Sequence, residues 1–196
     1  MKKDMGGLRK WMPHTYRTFI IATAALIGLF PLAGFWSKDE ILAGASQLGG
    51  AGNYKVFMAV GIAGAFMTAA YMTRVIYLTF FGEFRGHGHP HESGPRIVVP
   101  LWILAVLGVS AGVVNLPSAL TPDTAALRFE HYFEPKGAYF PVENFAHPEF
   151  SWAIALGSTV IGLLGITLAY LWWWRGAGPQ GITARMAGRL RGTRIT

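Results

Sequence analysis

Residues 18–36, TFIIATAALIGLFPLAGFW, form an uncharged apolar run with Pro31 inside it, and Ser37-Lys38-Asp39-Glu40 follow at once. A run of this kind predicts a helix across a bilayer, which needs about 20 apolar residues. Proline removes a backbone donor and clashes with the preceding turn, so it breaks that helix. A bilayer tolerates such a break where it faces protein or a water-filled cavity. Consecutive ionisable side chains directly after the break are expensive to keep and point to function.

Composition extends the same reading to the whole chain. Apolar residues make up 52% of the 196 and charged ones 14%, where a soluble domain carries about 25% charged residues. Hydropathy yields candidate spans at about 17–42, interrupted at Pro31, then 54–81, 97–116 and 152–174. The expected fold is an all-α membrane protein of about four transmembrane helices, the first broken at Pro31, packed as a helical bundle. Small residues recur in the later spans: Gly61, Ala65 and Ala69 with Gly64 beside them, Gly108 and Gly112, and more loosely Gly157, Gly162 and Gly165. Such spacing lets helix backbones approach closely. Residues 1–11 are basic, but the run after them is too long for a signal peptide and lacks a small-residue cleavage site. The absence of cysteine excludes thiolate-bound zinc, iron–sulfur clusters and disulfides within the chain.

The net charge of +7 is distributed against nucleic-acid binding. Lys2, Lys3, Arg9, Lys10 and Arg17 precede or open the first span. Arg85 and Arg96 lie between the second and third spans, and Arg175, Arg185, Arg189, Arg191 and Arg194 follow the fourth. The intervening side is acidic, with Asp123, Glu130, Glu134, Glu143 and Glu149. The positive-inside rule then places both termini in the cytoplasm, with four crossings. Residues 117–148 read as a proline-rich outer loop with little regular structure. Trp172-Trp173-Trp174-Arg175 reads as an interfacial aromatic belt with a snorkelling cation.

Two readings of Lys38 stand side by side. On an unbroken helix it lies at the outer surface as a snorkelling end residue. With the helix broken at Phe30-Pro31-Leu32, a second half-helix starts near Gly34 and Lys38 lies at membrane depth. Burial weakens a lysine's hold on its proton and a neighbouring carboxylate strengthens it, a balance that makes a usable proton carrier. Asp39 and Glu40 cannot both face Lys38, because adjacent helical positions point in different directions. Arg74 reads either as a cation snorkelling to the inner interface or as a member of an ion pair in the bundle. Alternating His87, His89 and His91 are zinc or copper ligand types, but the interleaved glycine and proline read as a solvated loop. Trp36, Trp102 and Trp152 read as anchors at span ends.

The runs Gly6-Gly7-Leu8-Arg9-Lys10 with Met12-Pro13, and Gly34-Phe35-Trp36-Ser37-Lys38-Asp39-Glu40-Ile41-Leu42, carry a resemblance. So do Gly64-Ala65-Phe66-Met67-Thr68 and Phe80-Phe81-Gly82 before the His-rich loop. Together they resemble the antiporter-like subunit L, or chain 5 type, of proton-pumping NADH–quinone oxidoreductase, respiratory complex I. That family implies two inverted five-helix repeats, each with a broken helix, and a mid-membrane path of lysines, histidines and acids. By resemblance Lys38 is the lysine of the second broken helix, on the outward-leading half of the path, and Asp39 is its acidic neighbour. The implied role is a share in proton translocation coupled to quinone reduction in the bacterial inner membrane. The implied partners are other membrane subunits of complex I and the lipid bilayer. No NADH, flavin, iron–sulfur or quinone site is expected here, so no cofactor and no catalytic redox residue.

The family's subunit is much longer. Residues 1–176 therefore read as the C-terminal part of an antiporter-like transmembrane domain whose N-terminal helices are missing, and 177–196 as a truncated basic cytoplasmic tail. Four helices with half a proton path are not expected to pump alone. Two other readings remain: a subunit of a multisubunit cation/proton antiporter, and a structural membrane fragment that moves nothing.

Overall fold

The computed structural model describes residues 5–47, 54–84, 86–115 and 151–172, and among them every regular element is helical. The helices are α1 (Pro13–Ile27), α2 (Ala33–Gln47), α3 (Tyr54–Phe80), α4 (Pro95–Ser110) and α5 (Trp152–Ala169). Short 3₁₀ turns lie at Leu8–Lys10 and Ala111–Asn115. The outer loop expected over 117–148 and the tail over 177–196 lie outside the described residues.

Among the described residues, three segments are long and apolar enough to cross a membrane: Lys55–Phe80, Pro95–Val113 and Trp152–Trp172. The run that contains Pro31 is different. It gives two helices of 15 residues each. At 1.5 Å per residue each half is about 22 Å long, short of the roughly 30 Å hydrocarbon core. The first crossing therefore requires both halves and the joint between them.

Helix packing uses the small residues selectively. α3 lies chiefly on α5, α1 on α4, and α2 touches α1, α3, α4 and α5. At the α3–α5 contact a Cβ on Gly165 would come within 2.7 Å of the Phe66 carbonyl and 3.0 Å of Ala69 Cβ. Only a glycine lets these two backbones come so near. By contrast, Gly64 and Gly157 look onto open space, so two members of the small-residue stripes play no part in the described contacts.

One end of the bundle gathers the basic residues. The Gly7 amide donates to the Phe81 carbonyl at 3.1 Å, tying the N-terminal turn to the end of α3. The Arg9 guanidinium lies over the rings of Tyr16 and Phe81, 5.2 and 5.6 Å from their centroids. Arg9, Lys10, Arg17 and Arg96 all belong to this end, where α1 and α4 begin and α3 finishes.

The start of α1 is capped from far away in sequence. Met12 occupies its N-cap and supplies no side-chain hydrogen bond. Glu92 takes over: its Oε2 accepts from the His14 amide at 2.7 Å and the Thr15 amide at 3.4 Å. Its Oε1 accepts from Thr15 Oγ1 at 2.6 Å. An anion here meets the positive end of the helix dipole as well as its unpaired donors. Partial burial by itself pushes the Glu92 carboxyl up. The hydrogen bonds from Thr15, His14 and Ser93 outweigh that and hold it below its ordinary value.

Candidate functional site

The site is the joint between α1 and α2. Gly28 ends α1 with φ +84°, a left-handed conformation that suits glycine because a Cβ would be strained there. The Gly28 amide donates to Ala25 O and the Leu29 amide to Ala24 O, each at 3.1 Å. This paired pattern is a Schellman motif. It satisfies two of the last four carbonyls of α1, and among the described residues those of Leu26 and Ile27 have no backbone donor.

Lys38 supplies what the backbone does not. Its Nζ donates to Leu26 O at 2.6 Å and to Ile27 O at 3.1 Å. The ammonium group thus caps the negative end of the α1 dipole, where a cation is favoured. α2 can present Lys38 there because it starts alongside the end of α1. At Gly34 a Cβ would overlap the Ala25 carbonyl, so the two half-helices approach through a position that no other residue type fits.

The turn between them, residues 28–32, contains a cis Phe30–Pro31 peptide bond. Its backbone is held by Leu32 N–H donating to Leu29 O and Phe35 N–H donating to Leu32 O. Trp36 Nε1 donates to Pro31 O at 3.2 Å, and Thr159 Oγ1 on α5 donates to Gly28 O at 3.5 Å. Phe30, Phe35 and Trp36 stack edge to face, with centroids 4.9 to 6.0 Å apart. Phe35 and Trp36 are buried together with Ala155. Trp36 is therefore not the span-end anchor that its sequence position suggests. It packs against Gly112 because the break turns the start of α2 back into the bundle.

The structure brings together Pro31 at the break and Lys38 on its closing helix. Asp39 lies on α2, and its side chain is outside the described residues. Arg74 is half-buried on α3, away from the joint in sequence and toward the basic end. His87, His89 and His91 are exposed. Among the described residues no three histidine, cysteine or acidic side chains are grouped to hold a metal ion. No local sequence pattern singles out Glu92. The signal was a deficit: α1 has no capping side chain at Met12 and no acid in its first turn, so its donors had to be met from elsewhere.

Residues 2–68, which include the whole joint, match the family model described as NADH:quinone oxidoreductase/Mrp antiporter, TM. The chain is 40% identical over 193 residues to NAD(P)H-quinone oxidoreductase chain 5 of Picosynechococcus, covering 85% of this chain and 27% of that one. It is 35% identical over 194 residues to NADH-quinone oxidoreductase subunit L of Escherichia coli, covering 96% and 28%. With subunit L of Mycobacterium tuberculosis it shares 36% over 169 residues, covering 84% and 25%. The chain thus spans between a quarter and a third of the length of these relatives.

Proposed function

We propose that this homologue of the antiporter-like membrane subunits of NADH–quinone oxidoreductases supplies half of a proton-translocation path, with Lys38 as the carrier. The observation that carries this reading is the Lys38 ammonium seated on the two carbonyls that the helix break leaves open. A cation inside a membrane segment is costly and is kept for function. Carbonyl oxygens at a helix C-terminus stabilise the protonated form through the helix dipole. Loading transfers a proton from hydronium to the neutral amine, which gives an ammonium and a water. Release returns a proton to an acceptor on the outward side and leaves the amine with its lone pair. Asp39 acts as a tuning charge beside the carrier, and Pro31 keeps the segment broken.

In this reading the basic end faces the bacterial cytoplasm, as the positive-inside rule requires. Other membrane subunits and lipid cover the largely exposed faces of α3 and α4. The driving energy comes from quinone reduction elsewhere in the complex.

The test is Lys38→Ala in the full-length subunit, with the complex assayed in proteoliposomes for acidification driven by NADH. Pumped protons per NADH oxidised should fall, or oxidation should stall, while the complex still assembles. Unchanged pumping would favour a purely structural role. The family description also names Mrp antiporters, which supports a second reading as a subunit of a cation/proton antiporter. Sodium-driven proton exchange that is indifferent to NADH would select it.

A further inference from the structure

The groove between α1 and α3 changes character along its length. At the basic end a cavity of about 470 Å³ is lined by Gly7, Arg9, Lys10 and Trp11 and by the end of α3 as far as Phe84. Deeper in the bundle a cleft of about 360 Å³ lies between α1, α3 and α5. Its walls include Ile20 and Ile27 of α1, Ile76 of α3 and Ile166 of α5. Residues four apart share a helix face, and that spacing puts cavity and cleft in line. Tyr16, beneath the Arg9 guanidinium, is one turn before Ile20, and Phe80, on the cavity wall, is one turn after Ile76. The Tyr16 and Phe80 rings meet edge to face at this boundary, with centroids 5.2 Å apart.

The cavity suits an anion. The bond from the Gly7 amide to Phe81 O fixes its floor, and a Cβ on Gly7 would come within 2.8 Å of Gly82 O. The faces of Tyr16 and Phe81 position the Arg9 guanidinium and leave its charge uncancelled. Arg9 and Lys10 are both exposed. Among the described residues neither forms an ion pair, and Glu83, beside Gly82, is exposed and pairs with neither. Trp11 and Phe84 are exposed at the same mouth. Aromatic rings beside cations at the end of a span mark the headgroup level of a bilayer, and the span on α3 ends at Phe80.

The cleft suits hydrocarbon. Thr73 and Thr167 turn their hydroxyls onto their own helices at Ala69 O and Leu163 O. Thr23 Oγ1 is already shut away from solvent, so an acyl chain laid beside these threonines costs them little hydration. From Ile20 to Ile27 the wall runs about 10 Å at the helical rise, against about 15 Å for one leaflet's half of the hydrocarbon core. A further apolar helix would fill the cleft equally well but would leave the two cations unpaired. We propose that the groove holds one anionic phospholipid, with its phosphate between Arg9 and Lys10 and one acyl chain between α1, α3 and α5. The site is independent of any role for Lys38.

The test uses the full-length subunit in the assembled complex, reconstituted in phosphatidylcholine vesicles with a trace of photoreactive lipid. One probe is phosphatidylglycerol with a diazirine in its acyl chain, and the other is phosphatidylcholine with the same chain. Mass spectrometry of this chain's peptides reads the adducts. A cation near a membrane surface favours an anionic lipid about fivefold. The phosphatidylglycerol probe should therefore label residues 20–27 and 73–77 about fivefold more strongly than the phosphatidylcholine probe, or better. The exposed face of α4 around Leu104 should label equally with both. Arg9→Gln combined with Lys10→Gln should abolish the excess. If that double variant does not assemble, Lys10→Gln alone leaves the Arg9 stack intact and should cut the excess severalfold. Equal labelling by the two probes, or an excess that survives these substitutions, overturns the proposal. So does a cleft that neither probe labels while α4 is labelled, because a protein segment then fills it. Loss of the excess to inorganic phosphate at constant ionic strength would mean that the cations hold a free phosphate, and would overturn the lipid site as well.

Discussion

The two ends of α1 solve the same problem with opposite charges. At the start, Glu92 accepts from the His14 and Thr15 amides. At the finish, Lys38 donates to the Leu26 and Ile27 carbonyls. Each cap matches the sign of the helix dipole, and neither comes from the helix itself. The difference is in their surroundings. Glu92 sits on a polar loop among exposed histidines, where a carboxylate is ordinary. Lys38 follows directly on an apolar run that reads as membrane-embedded, where the same electrostatic service costs far more. The proposed carrier role would account for a lysine in that setting.

Substitutions at the two caps should separate service from function. The largest effect is expected at Lys38. Lys38→Arg keeps a donor for the carbonyls but holds its proton permanently, so the complex should assemble while proton pumping in proteoliposomes falls about tenfold or more, a loss typical of removing an acid–base group. Full pumping by Lys38→Arg would make the site a cap and nothing else. Next comes Gly34→Val, whose side chain would overlap the Ala25 carbonyl. Overpacking of this kind costs about 1–3 kcal/mol, and a native gel of the membranes should show less assembled complex.

Glu92→Gln should be milder, about 1 kcal/mol, the usual worth of an N-cap. Thermal melting of the complex would show it, with pumping per NADH retained. The pH dependence follows from the same carboxylate. Its value is held below the ordinary one, so its contribution is complete above the ordinary value and is lost as pH falls through the lowered one. The Gln variant should lack that acid component, and an identical acid melting profile would count against the cap. Smallest of all is Gly64→Ala. A Cβ there meets nothing within 4 Å, so melting should change by no more than about 0.5 kcal/mol. A large loss would mean that another helix lies against Gly64 in the complex.

Much of this molecule was legible from residue order. The apolar runs gave the helices, Pro31 gave the break, and Ser37-Lys38-Asp39-Glu40 directed attention to α2. The small residues were legible as a type but not one by one, because spacing marks a face without saying what lies on it. Gly165 meets Phe66 and Ala69, whereas Gly64, on a similar stripe, meets nothing. Trp36 was misplaced because its position in sequence assumed a straight helix. Glu92 was missed because its partners are 77 and 78 residues away, beyond any local pattern.

By itself the sequence determined that this chain forms apolar helices, that the first is interrupted, and which end carries the positive charge. Those properties depend on local backbone chemistry and on the cost of charge in hydrocarbon, both of which act residue by residue. Only the tertiary structure decided where the Lys38 ammonium goes. The choice depended on Gly28 satisfying two carbonyls and leaving two, and on Gly34 letting α2 lie close enough for a lysine to reach them. That is a matter of distance between segments, and distance is set by packing.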